Sequence, residues 1–434
     1  MTTASKKVIN GWCMYDWANS VYNLVITSTF FPAYYAAVTA TSHPEFEKGI
    51  PFLGRMYVNT ELKNYFLSFG FLFIALLSPI LSSIADSRGN KKSFMRFFCY
   101  MGALSCSLMY YFDRSTVIPG LFLFMFAGIG FYGSQVFYNS YLPEIADEPM
   151  RDRVSARGYS YGYIGSVIMQ LIGFLLVILM PDSALPLKLT FLMVGLWWIG
   201  FAQITFNRLP ASAIPEKTSE QSIFTKGFTE LNLVWKQVAQ LPALRNFLGA
   251  FFFYSMGVQT VMLVATDFGI KLLKLEDTKL ILTLVTIQLV AILGAIAMSR
   301  LSEKFGNIRV LIFTIFLWIG VCIAGYYTTT EYEFYVLAAL VGLVMGGIQS
   351  LSRSTYSKLM PPTKDTASFF SFFDVTEKFA IVIGLFTFGY IEGVTRNMRN
   401  SIISLIIFFI LGLIMLMITY VKRKKELGLN ISAI

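Results

Sequence analysis

The chain has 434 residues, 56% of them hydrophobic and only 14% charged, more apolar surface than a soluble core can bury. A mean hydropathy of +0.62, with 41 Phe and 23 Tyr, excludes an ordinary water-soluble fold. The net charge of +10 is spread over short polar segments without a base-stacking platform, so it reports anionic lipid and membrane orientation, not nucleic acid.

Twelve apolar runs are each long enough to cross ~30 Å of hydrocarbon. They lie at about 12–38, 63–85, 94–112, 119–142, 157–180, 188–207, 245–268, 278–300, 309–328, 334–359, 367–390 and 401–421. The expected class is an all-α membrane protein with twelve transmembrane helices. With both termini cytoplasmic, more than twice as many Lys and Arg fall inside as outside. The opposite orientation would put Lys422-Arg423-Lys424-Lys425 outside. Residues 1–25 do not read as a cleavable signal, because Asp16, Asn19 and Asn23 interrupt any apolar core. The four cysteines fall in or beside spans without metal spacing, and His43 is the sole histidine, so neither a metal nor another cofactor is expected.

In chain order, the first span carries Asp16, Asn19, Ser20, Asn23 and Thr27 at i, i+3, i+4, i+7 and i+11, one polar helical stripe. The second ends in Ala85-Asp86-Ser87-Arg88-Gly89-Asn90-Lys91-Lys92. The fourth holds Gln135, Tyr138 and Asn139, and the fifth a small-residue face of Gly158, Gly162, Gly165 and Ser166 suited to close packing against a cavity helix. Pro32 and Pro79 are expected to bend their helices. The best break follows at 208–243, a polar linker in which Phe224, Phe228, Leu231, Trp235 and Val238 recur at helical spacing, as in a helix lying in the membrane interface. The expected units are thus a bundle at 1–207, the linker at 208–243 and a bundle at 244–434. The seventh span carries Tyr254, Ser255, Gln259 and Thr260; the tenth carries Gln349, Ser352, Arg353 and Tyr356.

Half a chain length after Asp86, the eighth span ends in Ser302-Glu303-Lys304-Phe305-Gly306-Asn307-Ile308-Arg309, again an acid three residues before Gly-Asn. A looser echo links Gly128 through Gln135, Asn139 and Pro143 with Gly342 through Gln349, Arg353 and Pro361. An internal duplication of this kind resembles the major facilitators, two pseudo-symmetric six-helix halves joined by a cytoplasmic linker. That resemblance implies a central cavity lined by helices one, four, seven and ten. In the repeated loops Gly89 and Gly306 permit tight turns, while Asp86, Arg88 and Glu303 read either as a gate latch between the halves or as solvated turn charges.

Charge inside a span is expensive, roughly 2.5–3.5 kcal/mol on insertion scales. Arg353, Asp374, Glu377 and Lys378 bear that cost. Asp374 and Lys378 stand i, i+4 and can pair. Two readings stand for these groups, a solute pathway and a structural ion pair between helices ten and eleven.

Three segments resemble the vacuole effluxer-like family of major facilitators. They are Tyr15-Asp16-Trp17-Ala18-Asn19-Ser20, Phe137-Tyr138-Asn139-Ser140-Tyr141-Leu142-Pro143-Glu144 with Ser155-Ala156-Arg157-Gly158-Tyr159, and Gly346-Gly347-Ile348-Gln349-Ser350-Leu351-Ser352-Arg353-Ser354 with Lys378. The Asp374/Glu377 pair departs from the family pattern, where mainly the lysine is expected. The resemblance implies a secondary transporter of small organic solutes, chiefly neutral amino acids, working by alternating access. The substrate-binding candidates are then Asp16, Asn19, Asn23, Gln135, Asn139, Gln259, Gln349, Arg353 and Lys378. Asp16 would face an ammonium, and Arg353 or Lys378 a carboxylate. Glu377, Asp374 or Asp16 would carry a proton if transport is proton-coupled. Export of amphipathic drugs or lipids, and a non-transporting sensor on the same fold, stay open. Enzyme activity is not expected, since no nucleophile–base pair or phosphate-cradling loop occurs. The expected setting is a bacterial inner membrane, or alternatively a vacuolar one, with a monomer in contact with lipid.

Overall fold

Apolar runs of this length leave the backbone no hydrogen-bond partner but itself, so they fold as helices. The computed structural model describes residues 3–181, 184–211, 223–275 and 277–426. The N-terminal half holds α1 (Lys6–Val21), a π-helical stretch (Tyr22–Phe30) and α2 (Phe31–Val38), together forming one long segment. Then come α3 (Asn59–Arg88), α4 (Lys91–Leu108), α5 (Val117–Ser140), the short α6 (Leu142–Ile145), α7 (Arg151–Leu179) and α8 (Leu185–Arg208). Helix α9 (Ile223–Gln240) lies in the linker. The C-terminal half holds α10 (Pro242–Leu273), α11 (Asp277–Phe305), α12 (Asn307–Tyr327), α13 (Glu331–Leu359), α14 (Thr366–Thr395) and α15 (Met398–Glu426).

Among the described residues, nine helices are long and apolar enough to cross a membrane. The other three expected spans also fall on helices, each interrupted. The first is split by the π stretch, α4 opens with Lys91, Lys92 and Arg96, and α14 carries Asp374, Glu377 and Lys378 at mid-length. Exposed Leu76, Leu179, Phe386 and Ile407 belong to an apolar surface that lipid tails, not water, would cover.

Two hydrophobic cores divide the molecule. One draws on residues up to Leu209 and borrows only Ala367 from beyond it; the other runs from Val234 onward and borrows Val136 and Tyr163. The halves meet where α7 lies on α11 and α13, and where α14 lies on α3 and α5. We call the end bearing α6 and α9 the linker end.

Several local expectations change. The bend expected at Pro32 is a π-helix instead, which Pro32 follows in the first turn of α2. Ser28 and Thr29 donate their hydroxyls five residues back, to the carbonyls of Asn23 (3.0 Å) and Leu24 (3.1 Å), and so support the wide turn. Helix α3 continues through Pro79. The loop at 39–62 contains a hairpin, β1 (Ile50–Phe52) with β2 (Arg55–Tyr57), whose turn residues Leu53 and Gly54 both have positive φ. In α9, Val234 and Val238 are buried against the C-terminal core, whereas Leu233 and Trp235 are exposed and Trp235 packs on Phe372. The side chains of Phe224, Phe228 and Leu231 lie outside the described residues.

Helices α11 and α13 approach backbone to backbone. A Cβ on Gly346 would sit 2.0 Å from the Ala291 carbonyl oxygen, and one on Gly294 the same distance from that of Leu343. A carbonyl cannot step aside as a side chain can, so Gly346→Ala should cost ~1–3 kcal/mol and lower the melting temperature of the purified protein. Gly320→Ala meets nothing within 4 Å and should leave it unchanged or higher. Equal melting temperatures for the two variants would refute the close approach.

Candidate functional site: a central cavity between the halves

At the linker end, side chains of one half hold the other. Gly89 closes α3 in the left-handed conformation (φ 65°), which turns the chain tightly into α4. Lys91 thereby reaches back to Asp86 at 3.1 Å and across to Glu144 at 2.5 Å and Thr366 at 2.6 Å. The Asp86 carboxylate accepts the backbone N–H groups of Ala367 (3.2 Å) and Ser368 (2.7 Å) and the Ser368 hydroxyl (2.8 Å). It therefore caps the positive end of α14, a helix of the opposite half.

The duplicated counterpart is built differently. Glu303 pairs with Arg153 across the halves, and Gly306 (φ 86°) turns the chain into α12. The buried acid here is Asp152, on the first turn of α7. It accepts from Ser302 Oγ, Asn307 Nδ2 and Lys358 Nζ, each at 2.7 Å. Arg88 ends α3 exposed. Nothing in the sequence marks Asp152, which sits between Arg151 and Arg153 in a short charged run outside the repeated loops.

Deeper in, Arg353 (2% exposed) crosses from α13 to α1. Its Nη1 and Nη2 each donate to Asp16 Oδ2 at 3.2 Å, Nη1 also to Asn139 Oδ1, Nε to Ser155 Oγ (2.9 Å) and Nη2 to the Ser155 carbonyl (2.8 Å). Rings of Trp12, Tyr138 and Tyr159 surround the guanidinium, at 4.8, 5.5 and 4.2 Å. Tyr138 donates to the same Asp16 oxygen at 2.7 Å. Gly158 admits this arrangement, since a Cβ there would lie 2.4 Å from Asp16 Oδ2. The small-residue face of the fifth span thus packs on the first, as expected from its composition.

Between the halves lies a cavity whose protein-free space, counted out into open solvent, is about 1130 Å³. Of the substrate-binding and proton-carrying candidates, Asp16, Asn23, Gln135, Asn139, Gln259, Gln349, Asp374, Glu377 and Lys378 line it. Asn19 and Arg353 do not. Asn19 is wholly buried, and the hydrogen-bonding capacity of Arg353 is taken up by the partners just named, so it is not free to clamp a carboxylate. The lining also departs from helices one, four, seven and ten alone. Helix α7 adds Tyr159 and Tyr163, and α14 adds its three charges. Tyr163 donates to Gln349 Oε1 at 2.6 Å, and Tyr132 presents its ring 4.5 Å from Lys378 Nζ. Of these, Tyr159 stands in the family-resembling segment Ser155–Tyr159, whereas Tyr132 and Tyr163 carry no mark, because an aromatic residue in a span reads equally well as lipid-facing.

Lys378 Nζ sits 2.7 Å from Asp374 Oδ1 and 3.3 Å from Glu377 Oε2. Gln259 Nε2 donates to Glu377 Oε1 at 2.9 Å. Both signs of charge and several amides therefore face one shared space.

Residues 4–428 match the family described as vacuole effluxer Atg22 like. An uncharacterized MFS-type transporter, YxiO of Bacillus subtilis, is 32% identical over 413 residues, covering 94% of this chain and 93% of that protein. Autophagy-related protein 22 of Yarrowia lipolytica is 25% identical over 468 residues, covering 87% and 78%. Among solved structures, the human organic anion transporter MFSD10 superposes with a TM-score of 0.70 at 11% identity, covering 94% of this chain and 98% of that one. The Escherichia coli fucose:proton symporter gives 0.68 at 14%, covering 95% and 97%. These likenesses carry the fold, and the sequence matches carry the family. The chain belongs to the vacuole effluxer Atg22-like family of major facilitator transporters.

Proposed function

We propose that this protein carries small zwitterionic solutes, neutral amino acids foremost, across a bacterial inner membrane by alternating access. The observation that carries the reading is the cavity itself. It presents an ammonium (Lys378), a more open carboxylate (Glu377) and the amides of Asn23, Gln135, Asn139, Gln259 and Gln349. A zwitterion needs both charges and the amides to replace its hydration. Lys378 takes the carboxylate and Glu377 the ammonium. Asp16 serves the gate rather than the solute, being already paired with Arg353.

The linker end is the cytoplasmic one in this reading, which follows the Lys and Arg distribution. The chain adopts a state closed on that side, held by three cross-half clusters around Asp86, Asp152 and Arg353. Opening it breaks all three. A second reading, extrusion of amphipathic cations, draws on the aromatic wall of Tyr132, Tyr159, Tyr163 and Phe251.

Counterflow of neutral amino acids in proteoliposomes separates the two readings. Wild-type protein should exchange them, and Lys378→Ala should slow exchange about tenfold or more, the worth of one charge-assisted hydrogen bond. No exchange by the wild type, or full rates in the variant, would reject the amino-acid assignment. For the gate, Asp16→Ala and Arg353→Ala each strand a buried charge, at about 3–5 kcal/mol. Each single variant should melt well below the wild type, and the double variant should recover much of the loss. Additive losses would show that the pair does not join the halves.

A further inference from the structure

Mid-way along α14, two carboxylates share one cation. Lys378 Nζ serves both Asp374 Oδ1 and Glu377 Oε2, while across the cavity Asp16 and Arg353 already neutralise each other. Among the described residues, the helices packed on α14 bring no further charge to this level. Helix α5 contributes the Tyr132 ring, α10 contributes Tyr254 and Gln259, and Tyr159 and Tyr163 face it from α7. Asp86 of α3 reaches only the first turn, α9 meets α14 at Phe372, and α15 has no charged residue between Arg399 and Lys422. One negative charge is therefore left over in a place where unpaired charge is costly.

The two acids are not equivalent. Glu377 has a quarter of its side chain open to the cavity (26%), and both its oxygens have donors, Gln259 and Lys378. The Asp374 side chain is 7% exposed and belongs to the lining of the same cavity, and its Oδ2 is buried without a hydrogen-bond partner among the described residues.

We propose that Asp374 Oδ2 is the resident proton site of the transport cycle, so that one proton travels with each zwitterion. This rests on the zwitterion reading of the cavity. A proton from water on the open side forms the O–H bond at Oδ2. The Asp374 charge is thereby lost, and Lys378 is released from it to meet the solute carboxylate. Glu377 stays ionised and takes the solute ammonium. The loaded site then carries no net charge, whereas without the proton it carries one negative charge. When the linker end opens, the solute leaves and Oδ2 returns its proton to water on that side.

The test is infrared difference spectroscopy of the full-length protein in liposomes, without solute, as pH is raised. The wild type should show the carbonyl stretch of a protonated carboxyl that vanishes at alkaline pH. The band should shift when aspartate carboxyls carry carbon-13, stay in place when glutamate carboxyls do, and be absent in Asp374→Asn. A band that survives in Asp374→Asn, or that shifts with glutamate rather than aspartate labelling, overturns the assignment. Should Asp374→Asn fail to fold, Lys378→Met decides instead. With the cation gone a second carboxyl must protonate and the band must grow; an unchanged band overturns the proposal. No band in the wild type, together with stabilisation by sodium, assigns the site to a metal cation and also overturns it. Acceleration of uptake by an inward proton gradient should likewise be lost in Asp374→Asn. Because the spectra need no solute, their failure is distinct from a failure of the amino-acid reading.

Discussion

A charge sunk in a bilayer must find its counter-charge within the protein, and this chain places the two members of one fully buried pair on opposite halves. Arg353 comes from α13 and Asp16 from α1. Buried pairs of this kind add little net stability, because desolvation offsets the attraction. Separating them is another matter, since each charge is then left alone. The pair is thus a poor glue in a thermodynamic sense and a good discriminator between arrangements. Whatever replaces it when the halves rock must offer comparable partners, such as water entering from the linker end.

The outer layer of the seal shows what duplication leaves behind. In one copy, an acid at the end of α3 caps the start of α14. In the other, the equivalent Glu303 makes a surface pair with Arg153, and the buried role passes to Asp152. Helix capping by Asp86 draws on backbone N–H groups that no substitution on α14 except proline removes. The Asp152 cluster relies on three separate side chains. The two halves therefore keep the same topology of attachment with different chemistry.

Much of this was legible in the sequence. Apolar run length fixes the helices, because the bilayer permits few alternatives, and the repeated acid–Gly–Asn loop marks the duplication. Depth was readable as well: Arg353 lies well inside a span, as its distance from Pro361 implies. Facing was not. A helical stripe tells which residues share a side, but not whether that side meets a cavity or the opposite half. Hence Arg353 and Asn19 were grouped with residues from which the fold separates them. Leu53-Gly54 is a weak hairpin signal, because a non-glycine residue with positive φ carries no mark in sequence. Gly158 was recognised as a packing residue, but that it makes room for a carboxylate requires the neighbouring helix to be in view.

The π-helical stretch in the first membrane segment has a mechanical consequence. Each wide turn takes in one more residue than an α turn, so tightening it to α geometry would rotate everything beyond it by about 100°. Ser28 and Thr29 hold the wide form through bonds to carbonyls five positions back. The stretch behaves as a swivel built into a rod: Asp16 can stay fixed at one end while residues from Phe31 onward turn about the shared axis.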